Sequence, residues 1–369
     1  MAKGARFPRP FLFQVSSFKF GGIMVKEQKK SAYAAAGVNI DVKMDAVGSI
    51  KQMVASTKTA NVIGNIGAFG GLHKVPKGKD MILVASSDGV GTKLKVAAMM
   101  NKHDTVGQDI VNHCVNDILV QGAKPLFFMD YVGTAKVDPA QFKSVVSGLC
   151  KACKENKMAL LGGETAEMPG LYPVGEYDLV GTIVGCVQKS KLITGKSVRA
   201  GDVIIGFPSD GLQTNGFSLA RRVIFDVCQY SWKDKLPGTN QTFGDALLAT
   251  HKSFLKPVSK LMERVRINGM AHITGGGFPD NIPRVLPKCV NAEIDRSTWE
   301  VPTIFKFIQN QGKVDTEEMY RVFNMGIGFV VIIPKKDLKK ATNVLKAQHQ
   351  PYSVIGVIRK GKGVVTYKN

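Results

Sequence analysis

Apolar positions in this chain fall into short continuous runs and into stripes of helical period, and the two kinds of segment alternate. Met81-Ile82-Leu83-Val84-Ala85 is a continuous run, the pattern of a strand, and it ends in the polar, glycine-bearing turn SSDGVGTKLK (86–95). Upstream, Val47, Ile50, Met53 and Val54 recur at helical spacing and predict an opening helix. The link that follows, GNIGAFGGL (64–72), is too glycine-rich for a helix interior. Helices are expected at 93–101 and around 107–122, and a buried strand at 126–132. A further helix spans 138–155, with Asp138 as N-cap, Pro139 in its first turn and Val145, Val146, Leu149 and Cys153 on one face. A short strand at 159–163 runs into GETAEMPG, and 177–189 is another strand interrupted by glycines.

The second half opens with a strand at 202–207 and a polar loop that turns into a helix. AHITGGG reads as a strand, FPDNIPRVL as a helix, and NAEID and GIGFVVIIP as strands. SVIGVIRK and GVVTYKN form a closing strand pair joined by a lysine-glycine turn. Strands and helices alternate without a strict βαβ repeat, and no period of ~20–50 residues recurs, so the class is α+β. The segment ITGKSVRAGDVIIGF marks a junction. The division is a lead over 1–30, a first domain over 31–195 and a second over 196–369.

Length and composition narrow the classes. At 369 residues, 44% hydrophobic and 21% charged, the chain is long enough for two cores and has the make-up of a globular protein. No apolar run approaches the ~18–20 residues of a membrane span. The net charge of +21 suits polyanionic substrates as well as nucleic acid. The basic residues are spread along the chain, with Lys335, Lys336, Lys339, Lys340 and Lys346 on a late helical stretch. Neither an RNA-binding aromatic signature nor a zinc-finger spacing accompanies them, so no specific nucleic acid is expected. Six cysteines make no disulfide framework in a chain of this length and point to a reducing compartment. The lone C-x-x-C, Cys150 and Cys153, has no second pair for a metal and reads as structural. Residues 1–26 contain no acid, a composition that fits either an organelle transit peptide or a dispensable lead before Met24. The expected location is cytoplasmic, or an organelle if that lead is a transit peptide.

The candidate chemistry lies at the ends of the runs. Asp88, Asp109, Asp117, Asp130, Glu164 and Glu167 sit at strand ends, in glycine-flanked turns or beside helix starts. Mg²⁺ takes one or two carboxylates plus phosphate oxygens, and Asp88 and Asp117 are the first choices. The turn that carries Asp88 can face backbone N–H groups and Lys93 toward phosphate, although it lacks the Walker A spacing. Lys51 is a second candidate phosphate contact. Thr214-Asn215-Gly216-Phe217-Ser218 precedes a helix and could form an anion site or merely cap it. His272, beside Thr274-Gly275-Gly276-Gly277, could meet an anion or transfer a proton. Arg284 and Arg321 could pair with phosphate or with acids.

Four strings, SSDGVGTKLK, VNDILVQGAKPLFFMDY, GGETAEMPG and HITGGGFPDNIPRVLP, together resemble the phosphoribosylformylglycinamidine cyclo-ligases, or AIR synthetases, of purine biosynthesis. The resemblance runs from about Ala36 to the end. It implies two α+β domains per subunit, with the first domains of two subunits pairing into a β-barrel across a homodimer. It implies ATP-dependent closure of formylglycinamidine ribonucleotide to aminoimidazole ribonucleotide, with Mg²⁺ and K⁺ as candidate ions. On that resemblance the catalytic residues are His272, Asp117 and Lys93, and the metal ligands Asp88, Asp117 and Glu164. ATP falls to Lys51, Gly67, Phe69, Gly70, Asp88, Gly89, Gly91, Thr92 and Lys93. Substrate falls to Gln213, Thr214, Asn215, Gly216, His272, Thr274, Gly275 and Gly276, with Gln213 standing where the family commonly has histidine. Selenophosphate synthetase, thiamine-monophosphate kinase and formylglycinamidine synthetase share the superfamily resemblance. A basic nucleic-acid-binding protein without ATP turnover is the non-enzyme alternative.

Overall fold

The computed structural model of the chain describes residues 62–63, 71–74 and 80–368. The lead over 1–30 and the opening helix around Val47–54 lie outside the described residues. Two six-stranded sheets organise the rest. The first contains β1 (Val62–Ile63), β2 (Gly71–Lys74), β3 (Met81–Gly89), β4 (Lys124–Thr134), β5 (Ala159–Glu167) and β6 (Tyr177–Gln188), in the order β1-β2-β3-β6-β4-β5. Only β4 and β5 run parallel. The end of the glycine-rich link is strand, because Gly71 and Leu72 pair with Ala85 and Val84 of β3.

Helices α1 (Lys93–Met100), α2 (Asp104–Leu119) and α3 (Pro139–Glu155) belong to this half. Asp138 caps α3 by accepting from the backbone N–H groups of Ala140 and Gln141, at 2.8 and 3.0 Å. Val145, Leu149 and Cys153 of α3 are buried as their spacing predicts. Burial also pushes the Cys153 thiol up to about 12, which suits a core residue and not a redox motif. The 126–132 strand differs from expectation. It is covered on one face only, so Phe128 and Val132 are buried while Leu126 and Met129 are 44% and 39% exposed.

The second sheet contains β7 (Val203–Pro208), β8 (Gly269–His272), β9 (Val290–Asp295), β10 (Ile327–Ile333), β11 (Ser353–Lys360) and β12 (Val365–Lys368), in the order β12-β9-β11-β7-β10-β8. Its central strands are covered on both faces, so β7 and β10 read as unbroken apolar runs. On one face α6 (Leu255–Met262) and α10 (Leu338–Ala347) pack through Val258, Leu261, Ala341 and Leu345. The remaining helices of this half are α4 (Phe217–Arg221), which continues as a π-turn over Arg222–Val227, α5 (Phe243–Leu247), α7 (Gly277–Asn281), α8 (Thr303–Gly312) and α9 (Thr316–Val322). The closing strands are not a hairpin. β11 pairs antiparallel and β12 parallel with β9, which lies between them. The lysine-glycine turn instead crosses the end of β9, where Gly361 N–H donates to Cys289 O and Gly363 N–H to Val290 O.

Helix α2 joins the two halves. Every residue from Thr105 to Leu119 is buried, and Leu119 and Val120 share the core of Phe254 and Val258 from the second half. On its other side α2 meets α3 at two facing glycines. A Cβ on Gly148 would overlap Asp104 O, and one on Gly107 would overlap Val145 O. Gly148→Ala should therefore lower stability by about 1–3 kcal/mol. Urea unfolding, read as a fall in midpoint at unchanged slope, checks it; an unchanged midpoint contradicts the close crossing.

Candidate active site at the junction of the two halves

The polar residues of α2 recur at helical spacing: Asp109, Asn112, His113, Asn116 and Asp117. Most of them receive one irregular segment of the second half, residues 249–254. Asp109 Oδ1 accepts from His251 N–H at 2.7 Å and Asn112 Nδ2 donates to His251 O at 2.8 Å. Asn116 donates to Lys252 O and accepts from Phe254 N–H, at 2.8 and 2.9 Å. Side-chain amides and a carboxylate thus satisfy backbone groups that no sheet or helix pairs.

Lys93 belongs to this clamp. Its side chain is 0% exposed, its Nζ lies 2.7 Å from Asp109 Oδ2, and it donates to Ala249 O at 2.7 Å. Burial lowers the Lys93 pKa and raises that of Asp109, with the ion pair opposing both shifts. In this structure the Lys93 ammonium is enclosed by Asp109 and Ala249 O. Removing one partner of such a pair strands a buried charge. Lys93→Met should cost about 3–5 kcal/mol in urea unfolding, and Lys93→Met with Asp109→Asn, which keeps an acceptor for His251 N–H, should recover part of it. A loss within about 0.5 kcal/mol, the range of a surface lysine, would contradict the clamp.

Above the clamp, His113 stands between two carboxylates. Its Nε2 is 2.9 Å from Asp88 Oδ2 and 3.5 Å from Asp117 Oδ2, and its Nδ1 is 2.8 Å from Thr214 Oγ1. Burial alone would lower its pKa, but Asp88 and Asp117 outweigh it and raise the imidazole to about 9. His113 is therefore an imidazolium at neutral pH. His272 and His251 go the other way, lowered chiefly by burial, and are neutral.

Those states orient a chain of hydrogen bonds. His113 Nδ1–H donates to Thr214 Oγ1, and the threonine hydroxyl faces His251 Nδ1 at 3.4 Å. His251 Nε2–H donates to His272 Nε2 at 3.0 Å. His272 Nδ1–H then donates to Asp117 Oδ1 at 2.8 Å, and Ser86 Oγ donates to Asp117 Oδ2 at 3.1 Å.

The sequence-predicted residues divide into two layers. Asp88, Gly91, Thr92 and Gly275 are exposed, and Gly89, Asn215 and Thr274 are half-buried. They come from both halves and face one another: Thr92 Oγ1 lies 3.2 Å from Ser218 Oγ, and a Cβ on Gly275 would sit 3.0 Å from Asn215 Oδ1. Lys93, Asp117, Gln213, Thr214, Gly216, His272 and Gly276 are buried. Protein atoms enclose Gln213, Thr214 and His272. Asn281 holds the glycine turn by donating to Gly277 O at 2.8 Å, and Gly277, at φ +59°, leaves no room for a Cβ against Tyr320 O. Arg284 reaches toward this mouth, its Nε donating to Asp280 O at 3.1 Å. Lys51, Gly67, Phe69 and Gly70 lie outside the described residues.

The metal set is revised on the same geometry. Glu164 pairs with Tyr131, Tyr131 with Val180 and Val180 with Gly89, so three strand spacings separate β5 from β3. At ~4.8 Å per strand that is about 14 Å, too far for Glu164 and Asp88 to share one ion. Both Asp117 oxygens are engaged inside the protein. Asp88 is the carboxylate that fits Mg²⁺, with hard oxygen donors and a side chain 45% exposed. His113, Asp117 and His272 also bring three donor atoms within 4.8 Å of one another. A metal there would have to displace the His113 proton, which the flanking carboxylates hold up to about 9.

The unforeseen members are His113, His251 and Asn116. A helical reading of 107–122 contains the signal for His113, which is four residues from both Asp109 and Asp117. Nothing local marks His251.

Both halves match models of the AIR synthase related proteins, the N-terminal domain over residues 42–187 and the C-terminal domain over 199–368. The fold is that of the HypE–HypF complex structure, at TM-score 0.62 and 17% identity over 86% of this chain and 95% of that one. Within this class, phosphoribosylformylglycinamidine cyclo-ligases are much nearer. That of a Thermoanaerobacter species is 50% identical over 333 residues, 90% of this chain and 99% of the relative. That of Alkaliphilus metalliredigens is 47% identical over 339 residues, 91% and 98% of the two chains. The chain belongs to the phosphoribosylformylglycinamidine cyclo-ligase family.

The raised His113 pKa has a defined sign. An imidazole held above its ordinary 6.5 adds stability that is complete below 6.5 and is lost as pH rises through about 9. At ~1.4 kcal/mol per unit, metal-free wild type should exceed His113→Gln by about 3 kcal/mol more at pH 6 than at pH 10. Denaturant unfolding of both proteins across that range tests it; a constant difference contradicts the charged state.

Proposed function

We infer that this chain closes the imidazole ring of purine biosynthesis, converting formylglycinamidine ribonucleotide and ATP to 5-aminoimidazole ribonucleotide, ADP and phosphate. The observation that carries the reading at the site is Asp88. It is an exposed carboxylate at the C-terminal end of β3, seated on the His113 imidazolium, beside the turn where hydroxyl groups of both halves meet. Family membership over nine-tenths of the chain supplies the reaction.

The chemistry explains why such a junction is required. The formamide oxygen is a poor leaving group. Its attack on the γ-phosphorus of ATP breaks the bond to ADP, and loss of the formamide N–H proton leaves an iminophosphate. The amidine nitrogen then attacks the formyl carbon, phosphate departs with the C–O electron pair, and a proton leaves the nitrogen. Both steps are governed by positioning and charge stabilisation. Mg²⁺ held by Asp88 and phosphate oxygens would screen the two polyanions. The inner layer keeps Asp88 in place: His113⁺ fixes its carboxylate, and Thr214, His251, His272 and Asp117 fix His113. Thr92, Asn215, Ser218, Thr274 and Gly275 form the surface on which substrates would be oriented. His272 acts here as a positioning residue.

We further propose a homodimer that pairs the first sheets. Leu126, Met129 and Leu161 expose apolar surface on β4 and β5, 44%, 39% and 61% open in one chain, which such a pairing would cover. A cytoplasmic location accords with free cysteines at all six positions. Among the described residues no helix is long and apolar enough to cross a membrane.

An assay that follows ADP and the diazotisable aminoimidazole together tests the function. Equal yields are expected with formylglycinamidine ribonucleotide, ATP and Mg²⁺; ADP without aminoimidazole would move the acceptor to another substrate. Asp88→Asn should lower kcat by about 10²–10⁴-fold at an unchanged fold, and full activity in that variant would remove Asp88 from the site.

A further inference from the structure

A cavity of about 520 Å³ opens where the two halves and the segment between them meet, away from Asp88. Its walls are Gly122 and Lys124 of the first half, residues 190–195 and Ser197 of the connecting segment, and Ser259, Met262, Glu263 and residues 265–268 of the second half. Lys124, Lys191 and Arg266 bring three positive charges to it. Its one acid, Glu263, is already 3.2 Å from Lys260 Nζ. Ser190, Thr194, Ser197 and Ser259 add hydroxyls, and Arg266 Nη2 donates to Ser197 Oγ at 3.0 Å. Ile193, Met262 and Ile267 supply an apolar wall.

One further group restricts the ligand. Asn268 lines the cavity at 2% exposure. Its Nδ2 donates to Asp202 Oδ2 at 2.8 Å, which orients the amide, yet its Oδ1 is buried without a hydrogen-bond partner. An unpartnered buried acceptor is costly and calls for a donor. Cations, hydroxyls, an apolar wall and one orphaned acceptor in a cavity of this size together match a small phosphorylated heterocycle carrying an N–H donor.

We propose that this cavity is a second ligand site, separate from the catalytic junction, for a nucleoside monophosphate. The phosphate meets Lys124, Lys191 and Arg266, and an amino group of the base donates to Asn268 Oδ1. The position gives the site a route to the reaction centre. Asn268 immediately precedes β8, which is buried throughout and ends at His272, about 13 Å away at ~3.3 Å per residue. The walls also come from both halves, so an occupant bears on how the halves are held.

Calorimetric titration of the full chain with AMP tests this, with a saturating non-hydrolysable ATP analogue and Mg²⁺ present to occupy the catalytic junction. One saturable site with Kd below about 1 mM is expected. It should weaken at least about tenfold in Arg266→Gln/Lys191→Gln, a variant that keeps the parent's turnover. Asn268→Leu, which removes the acceptor, should also weaken binding. No saturable binding, or binding untouched by the double variant, would overturn the site. Inorganic phosphate binding as tightly as AMP would overturn the recognition of the base.

Discussion

A helix buried on all sides that carries Asp109, Asn112, His113, Asn116 and Asp117 is unstable unless each polar group finds a partner. In α2 the partners come from elsewhere in the chain: the backbone of 249–254, Lys93, Asp88, Thr214 and His272. Neither half can therefore present its polar surface to water and remain native. The first half needs the second to satisfy α2, and the second needs α2 to satisfy an irregular segment without its own ladder. One stripe of five side chains both joins the halves and holds the groups around Asp88. The two cores continue the same logic, because Leu119 and Val120 at the end of α2 pack among Phe254 and Val258.

Depth separates two uses of charge along that stripe. At its lower end Lys93 and Asp109 neutralise each other in full burial, where the pair serves alignment rather than binding. At its upper end His113⁺ is shared between Asp117, which is buried, and Asp88, which is open to solvent. The neutral pair His251 and His272 closes the circuit back to Asp117 without adding charge. The positive charge of His113 lies between the two carboxylates, 2.9 Å from Asp88 Oδ2 and 3.5 Å from Asp117 Oδ2. Asp88 thus reaches the surface already oriented, its Oδ1 accepting from Gly89 N–H and its Oδ2 facing His113.

The elements were legible in the sequence where pattern and punctuation agreed. The capped α3, the strand leading to Asp88, and the apolar runs of β7 and β10 follow from period and flanking residues alone. Topology was less legible, because a short lysine-glycine turn permits a hairpin as readily as a crossing over β9. The site was legible as a set of strings but not as a set of layers. Asp88 and Lys93 are five residues apart and lie at opposite depths, since α1 begins between them and turns the lysine inward. His113 sits in an apolar stretch, VNHCVND, where hydropathy hides it; its phase with Asp109 and Asp117 is what reveals it. His251 has no such phase, and only the folded chain brings it to His272.

The division into layers also bears on how the site can tolerate a glutamine at position 213. Gln213 is 2% exposed, has its backbone at φ +64°, and has neither side-chain oxygen nor nitrogen paired. A charged base there would face burial with no carboxylate of its own, whereas a neutral amide bears the same burial at lower cost. The acid–base character of this junction is concentrated in His113 and its two carboxylates, so position 213 can be neutral without altering the charge beneath Asp88. Gln213 then forms part of a wall of the inner layer, where it contributes shape and polarity without charge.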